Sequence, residues 1–264
     1  MRKIKFSKMV ASGNDFVVSS QLSAFSSQQL TILAKKICDR KYGVGADGLL
    51  ILEESGVADT RMRIFNADGS EAEMCGNGAR CIALYVGKIN TSIETKAGII
   101  ESQVKGKNVK IKLTDPKSIK LDFPIKIFNR RLKVNYIDTG VPHVVIFVRG
   151  LDNIDLKGVG RAVRYHKQFS PLGVNVNFVE VKAADFIRLR TYERGVEDET
   201  LACGTGSVAS ALIFSLKTGS NKKIKLQTES GEILKVYFQK EKNKFRDVWL
   251  EGKAKLVYKG VYNV

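Results

Sequence analysis

Two of the four cysteines sit in matching surroundings. Residues 68–86 read DGSEAEMCGNGARCIALYV, and residues 195–212 read GVEDETLACGTGSVASAL. Each stretch runs from acidic residues through one or two apolar ones to Cys-Gly-polar-Gly, a small residue and an apolar helical pattern. Cys75 and Cys203 are thus one object made twice, 128 residues apart (203 − 75). A Cys-Gly-x-Gly turn feeding a run such as Ala79, Ile82, Ala83 and Val86 marks a loop entering a helix. The two glycines permit a tight turn and let a ligand approach main-chain N–H groups. A helix's first turn has unpaired N–H donors and a partial positive charge, which hold carboxylate or phosphate. The same place lowers the pKa of a cysteine. One such element serves equally as a redox site, an acyl-transfer nucleophile or a packed thiol. Two of them, each with its own anion-binding turn, suggest an acid and a base facing each other across one substrate carbon.

The other thiols read as core. Cys38 continues an apolar stripe (Leu30, Leu33, Ala34, Ile37) within residues 26–40, and Cys81 lies on a different face of the helix that Cys75 opens. A 264-residue chain, 44% hydrophobic, has core enough without disulfides, so the cysteines are expected to be reduced. There is no Cys-x-x-Cys, and two histidines supply a zinc site poorly, so no metal is expected. No apolar run approaches the roughly 20 residues that span a bilayer, and the N-terminal MRKIKFSKMV is too short in its apolar part for a secretory signal. A soluble, cytoplasmic protein with no membrane partner is expected. The net charge of +17 and pI near 9.7 raise nucleic-acid binding. Yet the lysines alternate with apolar residues, as in VKGKNVKIKL (104–113) and NKKIKL (221–226), which is the pattern of a solvated sheet face. No aromatic-lined basic groove accompanies them, so no nucleic-acid partner is expected.

The elements that position the cysteines follow in order. Residues 4–9 and 16–18 read as strands around a Ser-Gly-Asn-Asp turn, where Asn14 could serve as a ligand amide. After the helix of residues 26–40, YGVGADGLLIL (42–52) is a glycine-rich turn entering a buried strand, and TRMRIFN (60–66) is a strand ending at Asn66. Several short strands fill residues 92–121, and the pattern restarts near 122. Strands are then expected at 131–138 and 144–148, joined through Thr139 to His143, followed by a helix over 155–168 carrying His166 as a structural residue. Strands at 175–181 and 184–192 lead to Glu193, Arg194 and the second cysteine helix, and strands near 223–226, 231–238, 247–250 and 254–258 close the chain. The expected fold class is α+β (α/β), in two halves of similar build, each a curled sheet around one central helix.

Five stretches together carry a family resemblance: GNDFVV (13–18), NADGSEAEMCGNGAR (66–80), GVPH (140–143), GVNVNFV (173–179) and ERGVEDETLACGTGSVAS (193–210). Along nearly the whole chain they resemble the diaminopimelate epimerase family. The resemblance implies two domains related by pseudo-twofold symmetry, residues 1–121 with a closing strand at 252–264, and residues 122–251. Each is a curled, barrel-like sheet around a central helix, with the active site in the cleft between them. It implies cofactor-independent epimerisation of L,L-2,6-diaminopimelate to the meso isomer, serving lysine and peptidoglycan synthesis, and suggests a homodimer. By position, Cys75 and Cys203 are the acid/base pair, with Cys75 taken as base for the L,L isomer. Asn14, Asn66, Asn175 and Arg194 hold the distal amino-acid end, and the N–H groups at Gly76, Asn77, Gly204 and Thr205 hold the reacting carboxylate. Glu193 and His143 lie near the thiols, set their protonation and help bind the ammonium. Two positions depart from the family: Val141 stands where some members have Asn, and Gly48 where some have Gln.

The chemistry fits the residues read on their own. Inverting a stereocentre needs a base on one face of Cα and an acid on the other. Without pyridoxal phosphate as electron sink, fixed dipoles must stabilise the carbanion. Three other readings remain. A related two-thiol racemase of proline, hydroxyproline or histidine would lack use for a second amino-acid head, which Arg194 and the three matching Asn residues suggest. A redox pair would join Cys75 to Cys203, and in an epimerase that is an inactivating side reaction. A basic nucleic-acid binder would show steep salt dependence.

Overall fold

The computed structural model describes residues 3–220 and 223–264. Met1 and Arg2 of the N-terminal reading, and Asn221 and Lys222 of the lysine-rich run at 221–226, lie outside the described residues. The chain divides into two units, residues 1–112 with 252–264, and residues 113–251.

In the first unit the chain opens as a hairpin of β1 (Lys3–Ala11) and β2 (Asn14–Ser19). Ser12 and Gly13 turn it with φ of 50° and 86°, the two-residue geometry whose twist matches the flanking strands. α1 (Ser27–Cys38) begins with a capping box of Ser26 and Gln29. β3 (Gly48–Glu53) then pairs in parallel with β2, and β4 (Thr60–Asn66) pairs antiparallel with β3. A short β5 (Glu71–Ala72) folds back on β4 and leads into α2 (Gly76–Val86). β6 (Asn90–Thr95) returns parallel to β4, and β7 (Gly98–Lys105) and β8 (Asn108–Lys112) extend the sheet antiparallel.

The second unit repeats every step. β9 (Lys117–Ile127) pairs antiparallel with β10 (Arg130–Asp138), and β10 with β11 (Pro142–Phe147). α3 (Leu156–Arg164) crosses to β12 (Asn175–Ala183), parallel to β11, and β13 (Phe186–Glu193) returns antiparallel. β14 (Asp198–Thr200) folds back on β13 before α4 (Gly204–Thr218). β15 (Ile224–Gln227) runs parallel to β13, followed antiparallel by β16 (Ile233–Glu241) and β17 (Lys244–Lys253). The last strand, β18 (Lys255–Asn263), pairs with β1. In the first unit it therefore takes the place that β9 takes in the second. The second unit starts at Leu113, ahead of the restart read near residue 122, because β9 belongs to it by pairing.

Each sheet is curled and open. α2 touches β1–β4, β6–β8 and β18, and α4 touches β10–β13, β15 and β16, so each sheet bends around one helix. The opposite face of each sheet is covered too. α1 buries Leu30, Leu33 and Ile37 against Val17, Leu49 and Ile51, and α3 buries Leu156 and Val163 against Val144, Ile146, Val176 and Phe178. Strands covered on both faces are apolar throughout, which is why β2, β3 and β11 read as short apolar runs. Two local expectations change. The helix over 155–168 stops at Arg164, and His166 caps a separate short turn by accepting from the N–H of Gln168 (3.3 Å). His143 is not in a connecting turn: it is the second residue of β11 and fully buried.

Candidate active site

Each cysteine is the residue that caps its helix. Cys75 and Cys203 have extended backbones (φ/ψ −142°/120° and −109°/115°), and each sulfur accepts from the N–H of the third helical residue, Gly78 or Gly206, at 3.4 Å. The fourth N–H already returns to the cysteine carbonyl. That leaves the N–H groups of Gly76 and Asn77, and of Gly204 and Thr205, without an intrahelical acceptor. They point out of the positive end of the helix dipole, beside a sulfur that the same dipole favours as thiolate. Cys203 is 7% exposed and has the Thr205 hydroxyl 3.5 Å from its sulfur, whereas Cys75 is half-buried. Cys38 and Cys81 are buried in the core, and burial pushes the Cys38 thiol up to about 12, far from a reactive thiolate.

Around Cys75 the side chains form a polar chain. Asn77 does not offer its side chain to a ligand: its Oδ1 accepts from the buried Arg80 guanidinium, and its Nδ2 donates to Asn14 Oδ1. Arg80 also donates to Ser12 Oγ (2.7 Å). Asn14 Nδ2 donates to Asp47 (3.0 Å), and Asp47 and Asp15 share Arg40. Burial works against ionising Asp15, but hydrogen bonds from Arg40 and Lys8 prevail and hold its carboxyl below the usual range. Asn66, opposite Gly48 in the β3–β4 ladder, is exposed at the end of β4 and donates to Ser70 Oγ (3.0 Å). Arg80 escaped the sequence reading, although a charged residue inside the apolar run of a helix was its signal.

Around Cys203 the second unit gathers most of the predicted residues. Asn175 is buried, and its Oδ1 accepts the N–H of Arg194 (2.9 Å). Arg194 Nη1 reaches the Leu172 carbonyl at 3.4 Å and is half-buried. Burial raises the Glu193 carboxyl, against a hydrogen bond from Thr200 Oγ1 (2.8 Å). His143 neighbours Asn175 in the β11–β12 ladder. Burial, with the charge of Arg194, lowers its imidazole to about 3, so it is neutral at neutral pH. Thr139 Oγ1 donates to the Thr205 carbonyl (3.3 Å) and steadies the helix start. One buried residue here was missed by the sequence reading, Asn177, two positions past Asn175 on the same strand face.

The ladders make the two halves comparable residue by residue. Gly48 pairs with Asn66 and Leu50 with Ile64, as Asn177 pairs with Thr191. Phe16 stands opposite Gly48 as His143 stands opposite Asn175. On this register Gly48 corresponds to Asn175, Asn66 to Glu193, and Asn14 to Val141. The Arg63–Glu71 pair (2.8 Å) likewise matches Arg190–Glu199 (2.7 Å), a strand-to-turn clamp ahead of each cysteine. A groove of about 750 Å³ in the first unit, lined by Lys5, Met9, Leu84, Tyr85, Leu256 and Val261 among others, contains none of the predicted site residues.

Known proteins were compared with the chain. The sequence model described as diaminopimelate epimerase matches residues 6–119 and 135–257. A relative from Methanocella arvoryzae bearing that name is 42% identical over 282 aligned residues, covering 100% of this chain and 98% of its own. The chain belongs to the diaminopimelate epimerase family. A second relative of that name, from Aquifex aeolicus, is 38% identical with 97% of each covered. Among solved structures, a Bacillus anthracis phenazine biosynthesis protein of the PhzF family matches with TM-score 0.76 at 19% identity, covering 100% of both chains. A hydroxyproline epimerase from Agrobacterium vitis, with trans-4-hydroxy-L-proline bound, matches at TM-score 0.73 and 15% identity, covering 99% of this chain and 91% of its own. At those identities the two structures speak for the fold alone. No described helix is long and apolar enough to cross a membrane.

Proposed function

We propose that this chain interconverts L,L- and meso-2,6-diaminopimelate by a two-base mechanism with Cys75 and Cys203 and no cofactor, in lysine and peptidoglycan synthesis. The observation that carries the reading is the duplicated cap, in which a thiol takes the third helical N–H and leaves two N–H groups free. One sulfur, as thiolate, removes the Cα proton. The electron pair left on Cα delocalises into the adjoining carboxylate, and the other sulfur delivers its proton to the opposite face. One C–H bond breaks and one forms, and the thiolate and thiol have exchanged roles. The reaction thus requires one sulfur on each face of the carbon.

The developing negative charge falls on carboxylate oxygens. The N–H groups of Gly76, Asn77, Gly204 and Thr205 are placed at helix N-termini for such an anion, and one preorganised donor of this kind contributes about 3–4 kcal/mol. Arg194, Asn14, Asn66 and Asn175 are assigned to the distal amino-acid end, with Arg194 binding its carboxylate by two parallel hydrogen bonds. Glu193 is assigned to the ammonium and, with His143, to the protonation of the thiols. Gly48 and Val141 leave the distal end with fewer amides than some family members have, which is the one observation favouring another amino acid as substrate. A cytoplasmic place and a homodimer go with the leading reading. In the test, reduced protein is given L,L-diaminopimelate and the isomers are separated. Wild type is expected to produce the meso isomer, and Cys75→Ala and Cys203→Ala to lose at least about a thousand-fold in rate. Either alanine variant working at the wild-type rate would overturn the assignment.

A further inference from the structure

Asn177 is fully buried on β12 and uses every polar atom it has. Its Nδ2 lies 3.0 Å from the Val144 carbonyl and 3.1 Å from His143 Nδ1, and its Oδ1 accepts from Thr191 Oγ1 (3.0 Å). The orientation of the amide is not ambiguous. A main-chain carbonyl only accepts, so the atom facing Val144 must be the NH2 group. Its second hydrogen then points to His143 Nδ1, which must carry the lone pair. Burial, with the charge of Arg194, keeps this ring neutral, and a neutral imidazole has one proton, here left to Nε2. Nε2 is buried and has no hydrogen-bond partner among the described residues. A buried donor left unmatched is costly.

The fold does not require this network. The corresponding residues of the first unit are Leu50, Phe16 and Ile64, all apolar, and the same ladders close around them. What distinguishes the second unit is an amide seated against the first turn of the cysteine helix. Asn177 Oδ1 lies 2.4 Å from where a Cβ on Gly206 would stand, an approach that only glycine allows.

We propose that Asn177 is a positioning residue, holding His143 as its Nε2–H tautomer so that the ring offers one neutral hydrogen-bond donor to an anionic acceptor. Asn175, the neighbour of His143 in the β11–β12 ladder, accepts the N–H of Arg194 (2.9 Å), which puts a cationic residue on this side of the sheet and favours an anionic acceptor such as a carboxylate. The proposal rests on the functional reading only for the identity of that carboxylate.

The test is side-chain nitrogen NMR on uniformly 15N-labelled protein. The chain has two histidines, so His166→Asn assigns the signals. Nδ1 of His143 is expected to resonate as an unprotonated nitrogen and Nε2 as a protonated one, unchanged across neutral pH. A carboxylate ligand, diaminopimelate itself, is expected to shift Nε2–H and leave Nδ1 in place. Asn177→Leu, which installs the residue of the first unit, is expected to release the tautomer into a mixture. It should also lower kcat by at least about ten-fold, as a histidine in the wrong tautomer does. A wild-type ring with its proton on Nδ1, or a charged ring, would overturn the proposal even in an active epimerase. An Asn177→Leu spectrum identical to wild type would do the same. Absence of epimerase activity beside the expected tautomer would instead overturn the functional reading.

Discussion

Both cysteine helices have glycine as their third residue, and what lies against that glycine differs. A Cβ on Gly78 would meet a Leu50 methyl at 3.2 Å, whereas one on Gly206 would meet Asn177 Oδ1 at 2.4 Å and Cys203 Sγ at 3.3 Å. The duplicated architecture keeps the cap and lets its surroundings diverge. The first unit sets apolar side chains beneath its cap and puts its polar residues to one side, in the relay from Arg80 through Asn77 to Asn14. The second unit sets Asn177, His143 and Thr191 directly beneath. The fold accepts either filling, and the polar one leaves a buried ring nitrogen, His143 Nε2, without a partner among the described residues.

The largest expected effect concerns His143. An imidazole lowered from 6.5 to about 3 stays unprotonated in the folded chain while the unfolded chain takes up a proton below about pH 6.5. Stability contributed by the neutral ring is therefore fully present above that pH and is lost as pH falls, by up to about 1.4 kcal/mol per pH unit down to about pH 3. Glu193, raised by burial, acts in the opposite sense, because the folded chain holds its proton more readily. Comparing urea unfolding of wild type with His143→Phe, the residue of the first unit, isolates the histidine. The variant should lose most of this acid slope. Equal slopes would mean that the ring is solvated.

A smaller effect separates the glycines. Gly206→Ala should cost about 1–3 kcal/mol, because Asn177 is fixed by three hydrogen bonds and cannot move aside. Gly78→Ala faces only the end of a leucine side chain and should cost less, again by urea unfolding. Equal costs would remove the distinction between the two caps.

The caps were legible in the sequence because a Cys-Gly-polar-Gly entering an apolar helix is a local signal. The strand-helix-strand order of each half was legible for the same reason. What was not legible depends on distant pairing. No local pattern near residue 255 announces that β18 completes the first unit, since its partner is β1; that closing strand was implied by the family resemblance alone. Gly48 reads as a lost side chain, and a Cβ there would lie 2.9 Å from the Phe65 carbonyl, so in this chain β3 and β4 are drawn together around the glycine. Its counterpart Asn175 is free of that constraint and is polar. Asn177 was hidden because NVNFV reads as an ordinary strand, and only the sheet shows that both asparagines face inward beneath a helix.

The most direct measurement of the central claim, one base on each face of one carbon, is the partition of solvent label at early times. L,L-diaminopimelate is incubated with reduced protein in D2O, and the L,L and meso isomers are separated at low conversion and weighed by mass spectrometry. Each thiol holds a single proton, and the acid's proton comes from solvent. The meso product should therefore carry one deuterium at the inverted Cα while recovered L,L substrate stays unlabelled. Deuterium entering recovered L,L substrate as fast as the meso product would mean that one base serves both faces, and would contradict the account.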